Sequence, residues 1–269
     1  MLVTRPQYLN EVLKYQDTEF IKVITGVRRA GKSSVMQMYR QHLLDNGTSP
    51  EEIMYLNFEN FETTTLRTAD TLIDYIRKNA LQNTRMHFLF DEIQLVSDWE
   101  RVINGLRVSF DSDIVVTGSN AKMLSSEIST LLSGRFITIE VYPLSFAEFL
   151  KFKEYDVNDV RQYAPWFREY VRFGGFPAVV LADEQIKESI LSGIYDTVLL
   201  NDVGFRSGIK ELDVLKSVTR FLASNIGQIT NPTKIKGTLE SVAHLKTSVP
   251  TVTRYMDMLE NAFLFYHAE

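Results

Sequence analysis

Residues Gly26-Val27-Arg28-Arg29-Ala30-Gly31-Lys32-Ser33 follow directly on the apolar run Phe20-Ile21-Lys22-Val23-Ile24-Thr25, and Ser34 to Leu44 after them reads as a helix. A strand, a glycine-bounded turn and a helix in that order restrict the fold more than any other feature of the chain. The run reads as a buried strand, and the turn, if more than a glycine turn before an ordinary helix, sets its backbone amides at a helix N-terminus, where they attract anions. The spacing G-x-x-x-x-G-K-S is that of a loop wrapped around phosphate oxygens. The loop from Gly26 to Ser33, with Ser34, is therefore a candidate phosphate cradle. Lys32 would reach the β- and γ-phosphates and Ser33 would ligate Mg²⁺.

Around this loop, short apolar strands alternate with helical stretches to about residue 142, the pattern of a parallel sheet covered by helices. Strands are predicted over 20–25, 53–58, 86–90, 113–117 and 136–141. Thr71 to Ile76 and Trp99 to Phe110 repeat apolar residues at three- and four-residue spacing, as helices resting on a sheet do. After Pro143 the pattern turns helical, with Phe146 to Phe152, Tyr163 to Phe173 and Gln185 to Asp202, then 211–225, 233–242 and 249–262. The domain reading is a core over 1–142, a helical lid over 143–208 and a three-helix segment over 209–269. Length supports one large domain or two smaller ones: 269 residues with 45% hydrophobic content suffice for a packed core. A net charge of −5 leaves any nucleic-acid role to a local patch. Cysteine is absent, which excludes disulfides and thiolate metal sites. With no leader and no membrane-length apolar span, a cytoplasmic location is expected. Asn46-Gly47-Thr48 reads as a helix end and turn rather than a glycosylation site. The four histidines stand far apart with no metal-ligand spacing.

A second motif completes the site. Met86-His87-Phe88-Leu89-Phe90-Asp91-Glu92 is an apolar strand ending in two acids, the Walker B pattern. Asp91 would hold Mg²⁺ with Ser33, and Glu92 would orient or deprotonate an attacking water. Ile114 to Asn120 is another apolar strand with a small polar tip, where Asn120 or Ser119 could sense the γ-phosphate or simply form a turn. Asn120-Ala121-Lys122-Met123 lacks the aspartate of a guanine-reading motif, which favours adenine and hence ATP. Asn57 and Glu59, at the end of the second strand, could contact Glu92 and modulate its activity, or simply mark where the strand meets water. Arg135 is an arginine-finger candidate, in the same chain or toward a neighbour, or a surface arginine at a turn. Arg28 and Arg29 add positive potential, contact a partner, or are solvated.

Together these motifs resemble a prokaryotic family of AAA+-like ATPases in which the ATPase core is fused to a C-terminal domain of uncharacterised function. The resemblance rests on the phosphate loop and on Phe90-Asp91-Glu92-Ile93-Gln94 and Thr117-Gly118-Ser119-Asn120. It continues through Leu132-Ser133-Gly134-Arg135, Val141-Tyr142-Pro143-Leu144-Ser145-Phe146 and Gly174-Gly175-Phe176-Pro177. It implies a P-loop sheet in which an extra strand separates the loop strand from the Walker B strand, then a helical lid and a winged-helix segment. Gly174-Gly175-Phe176-Pro177 itself reads as a rigid turn between helices, in preference to a direct role in nucleotide sensing.

In the last segment, Val249 to Leu259 would be the recognition helix. Val252, Tyr255, Met256 and Leu259 would form its packed face, while Thr247, Ser248, Thr251, Thr253 and Arg254 could meet phosphates. From Asn231 to Arg254, Lys234, Lys236, Lys246 and Arg254 stand against Glu240 alone. DNA is therefore a possible partner, beside an unknown protein partner; a homo-oligomer is possible and no membrane is expected. The apolar run Asn261 to Glu269 would open a wing whose second strand is missing, so the chain is expected to be a truncated form or fragment of a longer protein. The function expected is Mg²⁺-dependent ATP hydrolysis coupled to movement of the lid and C-terminal segment. The alternatives are a slow nucleotide-gated switch and a DNA-binding regulator with little turnover.

Overall fold

The computed structural model describes residues 4–121, 132, 134–155, 163–205 and 211–267. Lys122, Met123, Leu131 and Ser133, which figure in the readings above, lie outside these residues. Two compact units, Met1–Lys187 and Glu188–Glu269, make up the chain. No helix among the described residues is long and apolar enough to cross a membrane.

The first unit is built on a five-stranded sheet in the order β2-β3-β4-β1-β5. The strands are β1 (Ile21–Thr25), β2 (Ile53–Asn57), β3 (Met86–Asp91), β4 (Ser112–Thr117) and β5 (Phe136–Glu140), and every neighbouring pair is parallel. β4 is thus the extra strand between the loop strand and the Walker B strand. Parallel strands need crossover helices, and these cover both faces. Helices α1 (Pro6–Leu13) and α2 (Lys32–Asp45) supply one layer; α3 (Ala69–Asn79) and α4 (Trp99–Ser109) supply the other. Side-chain alternation sorts the strands accordingly. Ile21, Val23, Phe88, Phe90, Ile114 and Val116 join Leu72, Ile76, Trp99, Val102, Ile103 and Leu106 in one apolar cluster. Helix α1, absent from the sequence reading, has Pro6 at its start and buries Val12.

The alternate strand positions include charges. Lys22 and Asp113 are fully buried and form an ion pair, joined by the Tyr39 hydroxyl, which donates to Asp113 Oδ2 at 2.6 Å. His87 is the direct cross-strand neighbour of Asp113, its Nδ1 3.7 Å from Oδ2. Burial alone would push the Asp113 carboxyl up. His87, the Lys22 ammonium and the Tyr39 hydroxyl outweigh it and hold the group at about 2. Burial pulls Lys22 below the ordinary lysine range despite its partner.

Beyond β5, α5 (Phe146–Phe152), α6 (Tyr163–Phe173) and α7 (Pro177–Val180) close around a small aromatic core. Phe146 contacts Phe149, Tyr163, Phe167 and Tyr170 through ring centroids 5.3–6.0 Å apart. Helix α5 starts on a capping box in which Ser145 and Glu148 satisfy each other's amides. The turn Gly174-Gly175-Phe176 stands between α6 and α7. A Cβ on Gly175 would meet the Leu144 carbonyl oxygen at 2.1 Å, so glycine is required there for chain contact. Helix α8 (Glu184–Asp196) follows, and its Lys187 donates to the Val179 carbonyl at 2.7 Å, closing the end of α7.

In the second unit a π-helical stretch, Thr197–Phe205, stands where the sequence suggests plain α-helix as far as Asp202. Helices α9 (Leu212–Ser224), α10 (Pro232–Val242) and α11 (Val249–Asn261) pack through Leu215, Val218, Ile235, Leu239, Val252, Tyr255 and Leu259. Asn231 and Ser248 cap α10 and α11 by accepting from the amides of Lys234 and Thr251. The expected wing strand does not form among residues 262–267. Phe263 instead takes φ 57, and the Leu264 amide returns to the Leu259 carbonyl at 3.0 Å, so the apolar run caps α11 and buries Ala262 and Phe263.

Candidate functional site

The charged residues of the phosphate loop and of the Walker B pair gather at the carboxyl ends of β1 and β3. Gly26 leaves β1 at φ 134, and a Cβ there would lie 2.1 Å from the Val141 carbonyl oxygen. Gly26→Ala is accordingly expected to cost about 1–3 kcal/mol in backbone strain alone, before the collision is relieved. Urea unfolding with an unchanged slope and a lowered midpoint is the measurement; an unaltered midpoint would show that β5's exit yields freely. Gly31 adopts φ 104 as the N-cap of α2, and Ala30 is fully buried behind it. The Lys32 ammonium, 4% exposed, folds back over the loop and donates to the carbonyls of Gly26 (2.9 Å) and Val27 (3.1 Å). Arg28 pairs with Glu59 at 2.8 Å; Arg29, at φ 65, is exposed.

Ser33 Oγ donates to Asp91 Oδ1 at 3.0 Å, which joins the loop to the end of β3. The same oxygen accepts from Thr117 Oγ1 at 2.5 Å, and Oδ2 accepts from Asn57 Nδ2 (3.0 Å) and Tyr55 (3.3 Å). Burial raises the Asp91 carboxyl; these donors act against it without cancelling it. Glu92 sits at φ 55, with its amide donating to Thr117 Oγ1 at 2.9 Å. Its Oε2 accepts from Gln94 and from Ser119 Oγ (3.2 Å), and its Oε1 lies 3.8 Å from Lys32 Nζ.

Asn57 contacts Asp91 rather than Glu92, and Glu59 turns to Arg28, because β2 pairs with β3 in a register that sets Asn57 beside Asp91. Arg135 does not reach the site of its own chain. It precedes β5 just as Glu19 and Phe20 precede β1, so in a parallel sheet it occupies the amino-terminal edge, opposite the loop. There it pairs with Glu19 at 3.3 Å and is half exposed. Asn120 follows the tip of β4, next to Ser119, whose hydroxyl donates to Glu92. A cleft of about 260 Å³ lined by Glu19, Phe20, Arg85 and Arg107 also lies at the amino-terminal edge, away from this chemistry. Thr117 stands in the motif Thr117-Gly118-Ser119-Asn120, but its contact with both acids is not read from the sequence, and Arg5, whose Nη1 donates to the Ala30 carbonyl at 2.9 Å, carries no motif signal.

The donor set suits a hard cation. A serine hydroxyl and one carboxylate are what Mg²⁺ takes from a protein when phosphates and water complete its shell. Among the described residues no group of three or more acids and histidines lies together as a dedicated cage.

The loop after β1, the acid pair after β3 and the interposed β4 define a P-loop nucleotide-binding fold of the AAA+ type. The chain belongs to a family of AAA+-like proteins: a family model described as "AAA domain" matches residues 18–150, and one described as "Domain of unknown function" matches residues 164–269. An uncharacterized protein of Haemophilus influenzae is 49% identical over 269 residues, all of this chain and 67% of that protein. One of Methanocaldococcus jannaschii is 32% identical over 255 residues, 91% of this chain and 56% of that protein. The chain thus spans between half and about two thirds of these relatives' lengths. Among solved structures, AMPPCP-bound DnaA from Aquifex aeolicus shares 14% identity, covering 94% of this chain and 86% of that one with a TM-score of 0.42. The Aeropyrum pernix ORC1 protein in complex with DNA shares 10%, covering 97% and 84% with a TM-score of 0.47. These superpositions are loose, and the fold assignment rests on the sheet order and the family match.

Proposed function

We propose that the protein binds ATP at the loop from Gly26 to Ser34 and hydrolyses it with Mg²⁺, and that its nucleotide state moves the lid helices and the C-terminal segment. The observation that supports this most is the convergence of Ser33 on Asp91 at 3.0 Å with Lys32 and Glu92 3.8 Å apart. Loop amides and Lys32 bind and orient the phosphates. Lys32 would exchange its two loop carbonyls for phosphate oxygens, which are better partners for a buried ammonium. Ser33 and Asp91 would hold the metal, which spreads the negative charge developing on the phosphate oxygens. Glu92 orients the attacking water and takes its proton, with Ser119 and Gln94 fixing the carboxylate. Asn120, next to Ser119, is assigned to sensing the γ-phosphate. Arg135 is assigned to a site on a second copy, since it faces away from its own.

Wild-type protein is expected to bind a fluorescent ATP analogue in the presence of Mg²⁺ and to release phosphate from ATP. Lys32→Ala should weaken binding about 10- to 100-fold. Unchanged affinity in that variant would remove the loop from the reading. The hydrolytic reading is favoured over a slow switch because Glu92 is present, buried and oriented. DNA contact is less favoured, because Asp257 and Glu260 are exposed on α11 along with Thr253 and Arg254.

A further inference from the structure

The loop's rear surface carries a linkage that no motif encodes. Arg5 is 3% exposed, and its guanidinium makes three hydrogen bonds to two elements. Nη1 donates to the Ala30 carbonyl at 2.9 Å, while Nε and Nη2 hold the two carboxylate oxygens of Glu148 at 2.7 and 3.2 Å. The Tyr8 ring lies 4.4 Å from the guanidinium carbon, and Gln7 also donates to Glu148. Glu148 is the residue whose Oε2 caps α5 by accepting from the Ser145 amide at 2.9 Å.

Planarity gives this linkage its consequence. In a trans peptide the carbonyl and the following N–H point in opposite directions, so holding the Ala30 oxygen from behind aims the Gly31 N–H to the front. Gly31, at φ 104, has no steric preference of its own to hold that plane. The neighbouring carbonyls are held as well: Gly26 and Val27 by Lys32, and Gly31 by the Val35 amide at 3.1 Å. Ala30 differs in being held by a side chain that simultaneously grips α5. Just before α5, Leu144 ties this end of the lid to its later helices: its amide donates to the Gly175 carbonyl at 2.7 Å, and Tyr170 of α6 donates to its carbonyl at 2.9 Å.

We infer that Arg5 is a positioning residue that, through Glu148, makes the orientation of the Ala30–Gly31 peptide depend on the position of α5, the first helix of the lid. The inference rests on the reading of the loop as the phosphate site. Arg5 touches neither phosphate nor the reacting atoms in this role; it sets how well the loop's amides are presented. The ion pair is intact with the loop formed, so loop geometry and α5 placement stabilise each other.

The test compares wild type, Arg5→Lys, Glu148→Gln and the double variant by two measurements: titration with a fluorescent ATP analogue and Mg²⁺, and hydrogen exchange of the nucleotide-free protein. Glu148→Gln is the informative variant, because Glu148 acts on the loop through Arg5 and the glutamine carbonyl can keep the α5 cap. Each single variant is expected to lose about 10-fold in affinity, and the double variant no more than either, as residues acting as one unit do. Exchange over residues 27–33 should rise about 10-fold in both single variants, a local opening that leaves β3 at its wild-type rate. Additive losses, loop exchange unchanged in Glu148→Gln, or a rise spread equally over β3 would overturn the inference. If wild type fails to bind the analogue, the nucleotide reading falls, and the exchange pattern still decides the linkage.

Discussion

Replacing Glu92 by glutamine is expected to leave ATP bound and to slow its turnover by about 10²- to 10⁴-fold, the usual contribution of a positioned general base. Glutamine keeps the length and planarity of the side chain and can accept from Ser119 as Glu92 Oε2 does at 3.2 Å. It cannot take a proton from water at neutral pH. The backbone at φ 55 is held by the Thr117 hydroxyl, so the substitution should not shift the loop. Titration with a fluorescent analogue should give wild-type affinity while phosphate release from ATP collapses. Full turnover in the variant would assign the proton to another group and leave Glu92 as a structural partner of Lys32.

The second large effect concerns stability. Lys22→Met should cost about 3–5 kcal/mol in urea unfolding, because it strands a buried carboxylate that two other side chains cannot neutralise. Adding Asp113→Leu should recover part of that loss, since the stranded charge is gone although the Tyr39 hydroxyl loses its acceptor. A cost below about 1 kcal/mol for Lys22→Met would mean that water reaches Asp113. Acid probes the same group. Its folded value of about 2 lies below the ordinary 3.8, so its stabilisation is complete above the unfolded value and is lost as pH falls through about 2.

Much of the site was legible because its chemistry is local. Gly26 to Ser33 and Asp91-Glu92 are contiguous strings whose spacing already dictates strand, turn and helix, and the five strands fall where the apolar runs stand. What was not legible depends on neighbours in space. Thr117 reaches both acids because β4 lies against β3 with Val116 beside Phe90, an order that periodicity does not encode. Asn57 goes to Asp91 through the β2–β3 register, and Arg135 is carried to the far edge by parallel pairing with β1. Arg5 stands 143 positions from Glu148, before any recognisable element, and only the closed fold brings them together. The wing strand was misread because an apolar run after a helix suits either a strand or a buried cap, and the turn at Phe263 decides between them.

The ion pair between β1 and β4 also carries information about alignment. A parallel sheet buried on both faces is written in strands so uniformly apolar that hydrophobicity barely distinguishes one side from the other. Shifting a strand by a single residue exchanges its faces. For β1 or β4 such a slip would turn Lys22 or Asp113 out of the layer that holds Tyr39 and His87 and into the wholly apolar cluster under α3 and α4. The two charges thus mark which side of each strand is which, and a mispaired sheet would be rejected by the cost of an unmatched ion.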